Sequence, residues 1–141
     1  MHNNLPDAPF TSFSALEPGF DLGELRLTIT RAANERYWRA AGVDHPALRA
    51  GALYPPIAAN LTVLLFAARC PDPVIQTRQV LRCHRSAPAD VALHTTGAIV
   101  DRYDKRGRAY VDLEARVTID GDALWTSIVS FTPASTARMT S

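Results

Sequence analysis

"PPIAANLTVLLFAAR", residues 55–69, is almost free of polar side chains. Only Asn60 and Thr62 interrupt it before Arg69. Proline is tolerated in the first turn of a helix, where its missing N–H would have no partner. "CPDP", which follows at 70–73, ends the segment. Ile57, Leu61, Leu64, Leu65 and Ala68 recur at helical spacing, and Ala58, Ala59, Val63, Phe66 and Ala67 fill the other sides. The pattern predicts a helix apolar all round, which must be buried on most of its faces. It is too short to span a bilayer.

The material to bury it lies downstream. "VIQTRQVLRC" (74–83) and "VALHTTGAIVDRY" (91–103) read as strands, with "DKRG" turning the second one back. In "RAYVDLEARVTI" (108–119), Ala109, Val111, Leu113, Ala115, Val117 and Ile119 alternate with polar residues, the period of a half-buried strand. Asp120–Gly121 is a hairpin signal, and "ALWTSIVSFT" returns as the last strand. Upstream, "ELRLTIT" (24–30) predicts one more strand. Thr30 is placed to cap a helix over "RAANERYWRAA", with Ala33, Tyr37, Trp38 and Ala41 on one face and Gly42 as its stop. "DHPALRAGALY" reads as a loop or broken turn. One apolar helix and one antiparallel sheet are most simply combined by curling the sheet round the helix. The expected class is therefore α+β, with hot-dog architecture. A cone-shaped α+β fold competes, but it calls for more N-terminal helix. The expected organisation is an extended arm over 1–16, the domain over 17–133 and a tail over 134–141.

The 141 residues suffice for one domain with a real core. Fifteen basic against fourteen acidic side chains leave a formal charge of +1, which supplies no field for nucleic acid or a membrane surface. Cys70 and Cys83 fit no metal-ligand spacing, so free thiols, no metal site and no cofactor are expected. The first twenty residues lack a basic start followed by an apolar run, so a cytoplasmic location is expected.

Four segments in order resemble the MaoC-like hot-dog dehydratases and hydratases. "YWRAAGVDHPAL" lies on the family's "SGDxNPxH" motif, and "GALYPPIAANLTVLLF" on the start of its central helix, in the "PP" form of N-terminal halves of double hot dogs. "HRSAPADVAL" and "RGRAYVDLEARVTIDGDALWTSIVSF" match its entry to the meander and its last hairpin. The resemblance covers roughly residues 17 to 133. It implies acyl-thioester chemistry on acyl-CoA or acyl-carrier-protein conjugates. In the family the motif's Asp and His activate water, while backbone N–H groups at the central helix polarise the thioester carbonyl.

With Gly42 on the motif's Gly and Pro46 on its Pro, Val43 takes the Asp position and Leu48 the His position. A register shifted by one puts Asp44 on the Asp but Arg49 on the His, and loses Pro46. The standard dyad is thus replaced by Val43 and Leu48. Asp44 and His45 remain as candidate catalytic residues, though neighbours in an extended loop point in different directions. His45 is either a lone acid or base at the mouth of an acyl tunnel or a solvated loop histidine. Asp44 also suits a turn or cap. Candidate substrate-binding residues are Tyr54, Asn60, Arg82 and Arg85. Tyr54 reaches a ligand or closes the rim of the core. Asn60, expected in a buried helix, donates to a thioester carbonyl or bonds backbone across a dimer interface. Arg82 and Arg85, with His84 between them, meet the phosphates of a CoA or phosphopantetheine arm or line a solvated strand edge.

The expectation is an acyl-thioester-binding, dehydratase-related protein. It is either a nonstandard dehydratase or a partner subunit, in a homodimer or in a heterodimer with another hot dog. A hot-dog thioesterase is the alternative enzyme, although residues 55 to 68 hold no acid. A non-enzymatic module for a hydrophobic small molecule is the third reading.

Overall fold

The computed structural model describes residues 3–4, 10–42 and 44–134. In chain order the elements are β1 (Asn3–Asn4), a 3-10 turn (Phe13–Ala15), β2 (Asp21–Thr28), α1 (Arg31–Ala41), α2 (Pro46–Arg49), α3 (Ile57–Arg69), β3 (Val74–Cys83), β4 (Ala92–Lys105), β5 (Arg108–Ile119) and β6 (Asp122–Pro133). The strands form one sheet in the order β1-β2-β4-β5-β6-β3, antiparallel throughout. The fold is a hot dog, as expected, with α3 as its filling.

The alternation in β5 sets the inner face. Val111, Leu113, Ala115 and Val117 are buried, and they pair across to Phe131, Val129, Ser127 and Trp125 of β6. Asp120 and Gly121 both take positive φ, 50° and 83°, which suits the twist of the hairpin they close. Against this face the two halves of α3 serve two clusters. Ile57, Ala58 and Leu61 pack with Leu53, Leu93 and Trp125, while Leu65 and Phe66 pack with Leu22, Ile99 and Phe131. Full burial of each such Leu, Ile or Phe contributes roughly 1.5–3 kcal/mol. Gly97 of β4 lies under Leu65, where a Cβ would come within 3.1 Å of Leu65 Cδ2 and 2.9 Å of Leu113 Cδ1.

The structure departs from the sequence reading in several places. Within α3 the exposed face is Asn60, Leu64 and Ala67, so Leu64 leaves the predicted core stripe and Thr62 and Arg69 enter the buried side. Thr62 is accommodated because its hydroxyl donates to Ala58 O at 3.1 Å within the helix. Thr30 caps α1 through Oγ1, accepting from Ala33 N, and Gly42 ends it at φ 67°, as the sequence suggests. Yet Tyr37 and Ala41 are exposed, and Asn34 is buried beside Ala33 and Trp38. The loop after α1 contains the short helix α2. Strand β2 begins at Asp21, before a register shift between Asp21 and Glu24. Inside the expected arm, Phe13 and Leu16 are part of the core.

Candidate functional site

Asn34 organises the approach to α3. Its Nδ2 donates to Ala52 O and its Oδ1 accepts from Tyr54 N, both at 2.9 Å. Trp38 Nε1 donates to the same Ala52 carbonyl at 2.9 Å. On the other side, Leu53 N donates to Ala87 O at 2.7 Å, and Ala52 bridges to Pro88. Residues 52–54 are therefore clamped between α1 and the loop after β3. Tyr54 packs edge-on against Trp38, with ring centroids 5.0 Å apart, and stacks beside Tyr37.

Below this clamp opens a cleft of about 470 Å³. Its apolar wall is Trp38, Leu53, Pro55 and Trp125, and its polar lining is His45, Cys83, His84, Arg85 and Ser86. No carboxylate is among the described lining residues. Trp125 reaches it from β6, opposite Cys83 at the end of β3, where the inward period of both strands delivers them to the helix side.

His45 belongs to this cleft. It stands just before α2, and its Nδ1 accepts from Ala47 N at 3.0 Å, as a cap would. Its ring lies nearly parallel to Trp38, at 12° and 6.2 Å between centroids. Asp44 is exposed and does not line the cleft. Val43, which the motif alignment puts in the Asp position, lies outside the described residues, as does the side chain of Leu48.

The remaining candidates separate. Arg85 lines the cleft and pairs with Asp122 of β6 at 3.1 Å. Both side chains are largely exposed, so the pair adds little to stability. Arg82 points to the opposite face of the sheet, since successive strand residues alternate. There it borders a second cavity, of about 530 Å³, with Arg78, Asp112 and Glu114. Arg82 and Arg85 therefore do not form one phosphate clamp. His84, between them, lines the cleft and has Nε2 at 3.0 Å from Thr126 Oγ1. Tyr54 supports the Trp38 wall. Asn60, expected to be buried, is exposed on α3, so its amide has water available.

The backbone at the start of α3 also differs from what the resemblance implies. Pro55 and Pro56 have no N–H. The next three donors are used locally, Ile57 N to Tyr54 O, Ala58 N to Pro55 O and Ala59 N to Pro56 O, at 3.0–3.1 Å. The first turn is a tight i→i+3 spiral that consumes its own donors. No open pair of N–H groups is left at those positions to hold an oxyanion.

Sequence reasoning passed over Asn34, Trp125 and Cys83. The available signal for Asn34 was a polar residue one turn before Trp38, on the apolar side of α1. Among the described residues no group of three or more His, Cys, Asp and Glu could hold a metal ion, and no helix is long and apolar enough to cross a membrane.

No family model and no curated protein matches the chain. Solved structures do. The (R)-hydratase from A. caviae involved in PHA biosynthesis superposes with a TM-score of 0.71 at 14% identity, over 83% of this chain and 96% of that one. The R-hydratase PhaJ1 from Pseudomonas aeruginosa gives 0.68 at 17%, over 93% and 86%. The HadBC (3R-hydroxyacyl-ACP dehydratase) complex from Mycobacterium tuberculosis gives 0.64 at 19%, over 76% and 89%. This chain has the hot-dog fold of the MaoC-like hydratases and dehydratases. At these identities the MaoC-like likeness is one of fold, and the chemistry has to be argued from the cleft itself.

Proposed function

We propose that this MaoC-like hot dog binds an acyl thioester, of CoA or of acyl carrier protein, in the cleft between α1, the start of α3 and the end of β3. The observation that carries the reading is the lining. Two tryptophans, Leu53 and Pro55 form an apolar wall, His45, His84 and Arg85 stand along it, and no carboxylate lines it among the described residues. Such a lining suits an apolar acyl end with polar acceptor atoms. It does not suit activation of water, which needs a base and a group that orients the base. With Val43 and Leu48 in the dyad positions, we read the protein as the binding half of a hot-dog pair whose other subunit supplies the acid–base residues. Two structural neighbours, HadBC and ChsH1-ChsH2 from Mycobacterium tuberculosis, are complexes, which supports a partnered arrangement.

The test is binding and turnover on the same preparation. Butyryl-CoA is expected to bind the purified protein in calorimetry. Crotonyl-CoA is expected to lose its conjugated-thioester absorbance no faster than in buffer. Efficient hydration by the protein alone refutes the partner role, and absence of any acyl-CoA binding refutes the reading as a whole.

A further inference from the structure

We infer that His45 is the cleft's hydrogen-bond donor to an acceptor oxygen of the ligand, and that it does not act as a base there. The inference deepens the acyl-thioester reading, which it needs only for the identity of that oxygen as a thioester carbonyl. A neutral imidazole carries one N–H and one lone pair. The lone pair on Nδ1 is committed to Ala47 N–H at 3.0 Å. The proton is then on Nε2, which has no partner among the described residues, while the ring lines the cleft. The bond from Ala47 N–H orients the ring nearly parallel to Trp38, so this N–H has a direction as well as an identity. A base would have to use the very lone pair that caps α2.

The need for such a donor follows from α3. The backbone groups that would otherwise face a carbonyl at the helix start are either missing, at Pro55 and Pro56, or spent on Tyr54, Pro55 and Pro56 carbonyls. Arg85 is turned to Asp122, and His84 shares its Nε2 with Thr126. His45 Nε2–H is a ring donor of the cleft that no described residue uses. A ligand with a carbonyl or carboxylate oxygen beside a short apolar segment fits it.

Two substitutions separate this role from capping. In His45→Asn the short amide keeps a cap acceptor for Ala47 N–H but withdraws the donor from the cleft. In His45→Gln the longer amide places an N–H near the Nε2 position and gives up the cap. A donor role predicts that butyryl-CoA binding weakens about ten-fold in His45→Asn and is largely retained in His45→Gln. A cap-only role predicts the reverse order, and that order overturns the proposal. The tautomer is read independently from long-range proton–nitrogen correlations of the His45 ring. An Nε2–H ring is expected, and an Nδ1–H ring overturns the proposal. Butyrate provides the acceptor without the carrier. If butyrate perturbs the His45 Nε2–H resonance while butyryl-CoA fails to bind, the donor assignment stands and the acyl-thioester reading falls. If neither ligand perturbs it, the donor assignment falls.

Discussion

Asn34 carries more of the site than its position in a polar-looking helix suggests. Its amide is buried and satisfies one donor and one acceptor of the 52–54 segment. Removing one side of a buried hydrogen bond leaves the other desolvated, at roughly 1–3 kcal/mol for each stranded group. Ala52 O keeps its bond from Trp38 Nε1, so Asn34→Leu strands Tyr54 N–H and is expected to lower stability by roughly 1–3 kcal/mol in urea unfolding and to loosen the Trp38 wall. An effect under about half a kcal/mol contradicts the clamp. The thiols offer a second residue-scale check. Cys70 is buried and Cys83 exposed. Burial, with the nearby Asp72 charge as a smaller contributor, pushes the Cys70 thiol above its ordinary value of 9.0. The folded state thus holds this proton more tightly than the unfolded chain. The stability linked to it is fully present below pH 9.0 and is lost as the pH rises through the raised folded value. Under native conditions Ellman's reagent should modify Cys83 quickly and Cys70 only after denaturation. Equal rates at both thiols contradict this.

At the scale of elements, the contact between α3 and β4 sets how closely the helix sits in the sheet. A methyl group added at Gly97 would meet backbone on one side, with Glu114 O 3.1 Å away, and the Leu65 and Leu113 side chains on the others. The carbonyl belongs to a paired strand and cannot retreat cheaply. Gly97→Ala is expected to cost about 1–3 kcal/mol through overpacking, read from the denaturation midpoint. A neutral or stabilising result means that the helix can lift from the sheet without loss. The first turn of α3 is the other decisive element. Its two prolines make it rigid and poor in donors, and that chemistry shapes what the cleft can recognise.

For the whole molecule, β3 leaves a long sheet edge that no strand covers among the described residues. Strand β3 ends the sheet and carries exposed Ile75 and Val80, while Leu64 stands exposed on the open face of α3. An edge with free N–H and C=O groups beside apolar side chains favours pairing with another chain. The expected assembly is a dimer, with a second copy or another hot dog, in which sheets join side by side and central helices approach. Sedimentation of the purified chain should show it, and Leu64→Glu should shift it toward monomer. A stable monomer at micromolar concentration excludes the homodimer.

Much of this fold was legible in the residues, because its signals are local. The largely apolar run over 57–69, the strict alternation over 108–119, the Thr30 cap and the Asp120–Gly121 turn each act within a few residues. Curling the sheet round the helix then follows from the need to bury that one helix. His45 and Arg85, both singled out in the sequence, line one cleft. What periodicity could not decide was which side of α3 stays open, because a helix apolar all round carries no phase. Its orientation came from what surrounds it, with Gly97 admitting Leu65 and the open side left to Asn60, Leu64 and Ala67. Nor could spacing place Asn34 against Tyr54 and Ala52, or send Arg82 and Arg85 to opposite faces. Those outcomes depend on contacts between segments far apart in the chain and on strand pleat, and only the packed structure brings them together.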